Sequence, residues 1–245
     1  MSKLRNRIRD LGRTPSGFGF AALARSEAAR HMLVVAEATD AASATAAIEV
    51  GADAIIVRGS AAALASIDTK GALVGLWLED ATGAEVTAAK DAGADFFLFD
   101  DGRAQASALT PTEIGRVLLL GPDQEMERLR SIAVIDLDAV VVTGEVGATT
   151  VRDQLALRRV ASLTGAPLLV AANATPDTAT LEAWRDAGAA AVLVASNADL
   201  RATVQAALAV PAPKRRDSSE RGAMPLIGAL RSNDHDHDDD EDDDL

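Results

Sequence analysis

Few residues of this chain can do chemistry, and their kinds narrow the choice. There is no Cys, which removes a thiol nucleophile, a thiolate metal site and a disulfide framework. There is no Tyr. The only imidazoles are His31, His235 and His237, and the only lysines are Lys3, Lys70, Lys90 and Lys214. None of these lies just past an apolar run, where a catalytic group of an α/β protein is expected. A Schiff-base mechanism, which needs a desolvated lysine at such a place, is therefore not expected. Carboxylate, guanidinium and amide chemistry remains. Glu37, Arg58, Glu79 with Asp80, Asp100 with Asp101, Thr143 to Glu145, Asn173, and Ser196 with Asn197 each follow an apolar run.

Carboxylates brought together without counter-charge repel, so one takes up a proton or the group binds a cation. Glu37, Glu79 and Asp100 are the expected catalytic carboxylates, and as a set of oxygen ligands they suit Mg²⁺ or Mn²⁺. Arg58, from the run between Glu37 and Glu79, could hold a substrate carboxylate in a two-pronged grip. Asn173, Ser196 and Asn197 are the expected polar contacts to the rest of a ligand. The plainer reading of the same acids is that they hydrate loops and cap helices. Asp40 and Asp123 are expected to do only that. Trp77, inside an apolar run, and Trp184, on a helical stretch, are expected to pack in the core.

The elements that must position these groups come from a repeated phrase. Ile48–Gly59 reads IEVGADAIIVRG, Lys90–Gly102 reads KDAGADFFLFDDG, and Trp184–Ser196 reads WRDAGAAAVLVAS; a worn copy, IDLDAVVVTG, spans Ile135–Gly144. Each is a helix end, a Gly stop (except in the worn copy) and an apolar β run. Gly suits the position after a helix because φ is positive there. Runs such as Ala54–Val57 show no alternation, so both faces are buried, as in a parallel sheet covered by helices. Asp53, Asp95 and Asp138 open equivalent strands, 42 and 43 residues apart.

Strands are expected at Leu33–Ala36, Ala54–Val57, Leu73–Leu78, Phe96–Phe99, Val117–Leu120, Ala139–Val142, Leu168–Ala171 and Ala191–Ala195. Helical stretches follow each, including Ser60–Ile67 and one near Ala104–Leu109. Eight alternating pairs in 245 residues predict a closed (βα)8 barrel; an open doubly wound sheet would read similarly. The expected division is an N-terminal helical extension over 1–30, the barrel over 31–210, and a linker with an acidic tail over 211–245. Phe18 and Phe20, in the Gly-rich loop before the first strand, are expected to plug the bottom of the barrel.

Ala166–Ser196 (APLLVAANATPDTATLEAWRDAGAAAVLVAS) resembles the last quarter of the aldolase-type, phosphate-binding (βα)8 barrels. That resemblance implies a small-molecule enzyme with ligands at the C-terminal ends of the strands, and a phosphate or flavin phosphate held by glycines after strands seven and eight. Here Ala172-Asn173 and Ser196-Asn197 stand at those places. The carboxylate layout resembles, more faintly, metal-dependent barrel lyases acting on 2-oxo acids. The expected function is thus a lyase-like or aldolase-like enzyme for a small anionic metabolite. The alternatives are a phosphate- or flavin-binding barrel, and a non-catalytic scaffold or binding barrel.

Net charge is −13, but the twelve residues Asp234–Leu245 carry nine acids, leaving 28 acids against 24 bases elsewhere. No basic aromatic surface points to nucleic acid. No apolar run reaches the roughly 20 residues of a membrane span, and the basic N-terminus lacks the apolar core of a secretory signal. A cytoplasmic protein is expected. Pro211–Gly222 has the composition of a disordered linker. Within the tail, Ala223–Arg231 (AMPLIGALR) is an apolar island suited to docking on a protein partner. With Ser232 it resembles the cargo-loading peptides of encapsulin shells.

Overall fold

The structure is a computed structural model that describes residues 2–11, 30–121, 125–145, 149–195 and 199–213. Helix α1 (Lys3–Arg9) precedes the alternating series: β1 (Leu33–Ala38), α2 (Ala41–Val50), β2 (Ala54–Arg58), β3 (Leu73–Trp77), α3 (Gly83–Asp91), β4 (Phe96–Asp100), β5 (Gly115–Leu119), α4 (Met126–Ile132), β6 (Ala139–Gly144), α5 (Val151–Thr164), β7 (Leu168–Ala172), α6 (Thr178–Ala187), β8 (Ala189–Ala195) and α7 (Leu200–Leu208). The eight strands are parallel, and β8 pairs with β1, so the sheet closes. Residues 21–29 of the expected N-terminal extension, Phe18, Phe20, Asp123, Ser196, Asn197, Ala223–Arg231 and the acidic run lie outside the described residues.

Two expected helices are not α-helices. After β2 the chain makes only a 3-10 turn, Ala61–Leu64, and after β4 another, Ala106–Leu109. The Ala-rich stretch after β2 has ample helix propensity, yet connection length overrides it. Between Gly59 and Ala72 the chain must leave one strand, cross and return, and the turn around Lys70 and Gly71, both at positive φ, uses part of that length. Elsewhere the helix signals act as expected. Asp40 caps α2 by accepting from the Ser43 N–H at 2.7 Å, and Gly51 and Gly188 end α2 and α6 with φ near +107° and +108°.

The pleat sends alternate residues of each strand to opposite sides. Val34, Ala36, Ile55, Val57, Leu76, Phe97, Phe99, Val140, Val142, Val170, Val192 and Val194 face outward under the helices, with Trp184 among them. The inward set is separate. Following paired positions round the barrel from Glu37, through Ile56, Gly75, Phe96 and Gly115, returns to β1 about eight residues below the start, the shear of a (βα)8 barrel. Inward side chains therefore stack in layers drawn from alternate strands. From the bottom these are Ala54, Phe96, Ala139 and Ala191; then Val35, Gly75, Val117 and Leu169; then Ile56, Leu98, Val141 and Leu193. Gly75 has a reason: a Cβ there would meet the Phe96 ring at 2.3 Å.

Leu4 of α1, fully buried, closes the bottom of this core, with Ile8 and Leu11 beside it. Around it the repeat's aspartates turn out to be structural. Asp53, Asp95 and Asp138 accept from the backbone N–H of Val34, Val74 and Arg116 at 3.0, 2.9 and 2.8 Å, each tying the start of an even strand to the odd strand before it. Each also meets a base: Arg7 and Arg30 at Asp53, Lys3 at Asp95 and Arg5 at Asp138. Three of the four bases come from α1. The fourth copy of the phrase has Ala190 in place of the Asp, and there the β7–β8 register shifts.

Candidate active site

Two further inward layers lie above the apolar core, at the C-terminal ends of the strands. The lower holds Glu37, Trp77, Leu119 and Ala171; the upper holds Arg58, Asp100, Thr143 and Ala195. Every charged member comes from β1, β2 or β4, and the aromatic member from β3. The half formed by β5 to β8 carries only small or neutral side chains. Glu37, Arg58 and Asp100 thus reach the mouth of one barrel, as their positions in sequence predict.

Arg58 and Trp77 are register partners on β2 and β3, so their side chains leave the sheet side by side. The guanidinium lies over the indole, its carbon 3.5 Å from the ring centroid. Its Nε donates to Glu37 Oε1. Stacking and this bond fix the plane of the fork. Nη1 stands 3.8 Å from Glu79 Oε1, beyond hydrogen-bond reach, so among the described residues neither Nη group has a hydrogen-bond partner. Trp77, expected as core, does pack against the inner apolar cluster, but it is only half-buried and also serves as a platform for the Arg58 charge.

The other acids are divided among arginines. Arg103 donates from Nε and Nη2 to the two oxygens of Asp80, each at 3.0 Å, and its Nη1 is 3.2 Å from Glu79. The Arg103 guanidinium is pushed above its ordinary pKa, first by the hydrogen bond to Asp80 and then by charge. Arg128 of α4 meets Asp101 at 2.7 Å. The result is an alternating belt, Glu37–Arg58–Glu79–Arg103–Asp80, along the β1–β4 side. Asp100 stands apart from it. One oxygen accepts from the Gly102 N–H at 2.8 Å, and no cation pairs with Asp100 among the described residues.

The expected metal set does not form. Glu37 is turned to Arg58 and Glu79 to Arg103, while Asp100 projects from another layer; among the described residues no three of His, Cys, Asp and Glu are gathered to hold a metal ion. The sequence showed the carboxylates but not Arg103, which reaches them from the loop after β4. Asn173 follows β7 and is exposed. Ala172 and Asn173 stand where the resemblance places phosphate-binding glycines.

A cleft of about 360 Å³ opens beside the belt, lined by Arg58, Gly59, Trp77, Leu78, Glu79, Asp80 and Glu85. A larger one, about 560 Å³, lies at the opposite rim around Arg5, Asp136 and Asp138. There the Arg5 guanidinium is already bound to both carboxylates and to the Leu137 carbonyl.

With this geometry in view, solved structures give the same architecture. Tryptophan synthase of M. tuberculosis in a ligand-free form is similar over 86% of this chain and 99% of its own, with a TM-score of 0.61 and 17% identity. Dihydropteroate synthase of Xanthomonas albilineans matches over 72% of this chain and 90% of its own, at a TM-score of 0.54 and 15% identity. The homocysteine methyltransferase MmuM of Escherichia coli matches over 71% and 95%, at 0.51 and 14%. The fold is a (βα)8 barrel. At these identities the likeness is one of fold. No protein-family model matches the chain, and no curated protein matches it either. Among the described residues no helix of the barrel is long and apolar enough to cross a membrane.

Proposed function

We propose that the chain is a small-molecule barrel enzyme of lyase type, acting at the C-terminal mouth on a metabolite that carries a carboxylate. The observation that supports it is Arg58. Its plane is fixed by Trp77 and Glu37, it is about half exposed at 48%, and among the described residues its Nη groups make no hydrogen bond, Nη1 meeting Glu79 only as an exposed ion pair at 3.8 Å. A planar fork held this way suits two parallel hydrogen bonds to a carboxylate. Glu37 acts in this scheme as a positioning residue. Asp100, the carboxylate without a paired cation, is the proton acceptor and donor. For a 4-hydroxy-2-oxo acid, Asp100 takes the hydroxyl proton, the carbon–carbon bond breaks to release an aldehyde, and the enolate left behind regains a proton at carbon. Arg58 faces the negative charge throughout.

The test is thermal unfolding with pyruvate and other 2-oxo acids, since a ligand that binds only the folded state raises the melting temperature. Arg58→Lys keeps the charge but not the fork and is expected to remove most of the rise. No rise with any carboxylate, or a rise that survives Arg58→Ala, overturns the reading. Asp100→Asn is expected to keep binding and abolish aldehyde release. A second reading, a non-catalytic binding barrel, draws support from the pairing of Glu37, Glu79, Asp80 and Asp101 with arginines. It predicts carboxylate binding without turnover.

A further inference from the structure

The division of the mouth into two halves says what the rest of the ligand is. We infer that the metabolite carries an apolar chain of several carbons, directed away from its carboxylate and laid over the β5–β8 half of the mouth. The inference rests on the carboxylate anchor at Arg58 and specifies the substrate class of that site.

The argument is one of size and polarity across each layer. In the lower mouth layer Glu37 faces Leu119 across the barrel, and Trp77 faces Ala171. In the upper, Arg58 faces Thr143 and Asp100 faces Ala195. These oppositions follow from the register, because members of a layer come from every second strand. The β1–β4 side is filled by an indole, a guanidinium and carboxylates. The β5–β8 side offers two alanines, a threonine and a leucine. The side chains of this half are small or apolar, and two of them, Leu119 and Ala171, pack directly on the apolar interior. No charged side chain belongs to this half of either layer. A second anionic group, such as a phosphate, would meet no cation in those layers and only one hydroxyl, that of Thr143. An alkyl chain gains by leaving water. A carboxylate on Arg58 and a chain reaching across the barrel axis satisfy both halves at once.

The experiment is a chain-length series of probes: pyruvate, 2-oxobutyrate, 2-oxopentanoate and 2-oxohexanoate, each titrated against the full-length protein by calorimetry. Burial of one methylene is worth about a fourfold gain in affinity. The expected result is a tightening of about that factor at each step. The gain is expected to vanish in Ala195→Leu, which puts a bulky side chain at an exposed strand end of this half, and to shrink in Ala171→Val. If pyruvate and 2-oxohexanoate bind alike to the wild type, the chain-length inference falls and the carboxylate site stands. The inference also falls if the steps persist in both variants. If no member binds, the carboxylate site falls and takes this inference with it.

Discussion

The two rims of the barrel are built from the same pairs of side chains to opposite ends. At the N-terminal rim Asp53 and Asp138 are buried, each meets a base from α1, and each also takes a backbone N–H of the neighbouring strand. At the C-terminal rim the arginines and acids stand about half in water, at 48% for Arg58 and 55% for Glu79. A buried carboxylate with two or three donors, as at Asp138 and Asp53, is fixed, and its loss leaves those donors without their acceptor. An exposed pair has little net worth but can exchange its partner for a ligand. One rim holds the barrel shut, and the other keeps its charges available.

This contrast is easiest to break at the lower rim. Leu4→Ala opens a hole under the first apolar layer and is expected to cost about 2–5 kcal/mol, read as a lower urea midpoint. Asp53→Ala leaves the buried Val34 N–H without its acceptor and removes the partner of Arg7 and Arg30, and is expected to cost about 1–3 kcal/mol by the same measurement. At the upper rim Glu79→Gln, which loosens one exposed link of the belt, is expected to cost less than about 1 kcal/mol. A loss there comparable to that of Asp53→Ala would end the distinction between the rims.

The smallest effect is in acid. Asp136 is held below the usual carboxylate range, first by its hydrogen bond from Arg5, and the cap residues Asp40 and Asp177 are held low chiefly by backbone N–H donors. Groups whose folded pKa is depressed add stability that is complete above their unfolded value. That stability is lost as pH falls through the folded value. Unfolding followed from pH 6 downward is therefore expected to show a decline beginning near about pH 4. Asp136→Asn is expected to make that decline shallower. An unchanged acid limb in this variant would show that its pairing with Arg5 adds nothing.

The barrel was legible because its strands are apolar on both faces and its helices end in Gly, signals that come from local backbone physics. The quarter spacing of Asp53, Asp95 and Asp138 was legible as a repeat, but not its purpose. That purpose depends on N–H groups some 19 to 22 residues away and on a helix at the far end of the chain. Likewise Glu37, Arg58 and Asp100 could be placed at the mouth from their positions after apolar runs. Whether they would gather round a cation could not, since Arg103 claims Glu79 from a loop whose path the sequence does not fix. The short 3-10 turns after β2 and β4 were hidden because Ala-rich segments read as helix whatever the length of chain available.

Arg5 meets Asp136 across 131 positions of sequence. Helix α1 therefore cannot complete its contacts until the chain as far as Asp136 has followed it. Until then Arg5 lacks its carboxylates at Asp136 and Asp138, and the helix, at seven residues, is too short to hold itself together in water. Helix α1 thus acts as a stopper whose last contacts wait for the start of β6. In pulse-labelling hydrogen exchange, the amides of Asn6 and Asp10 are expected to gain protection after those of β1 to β6.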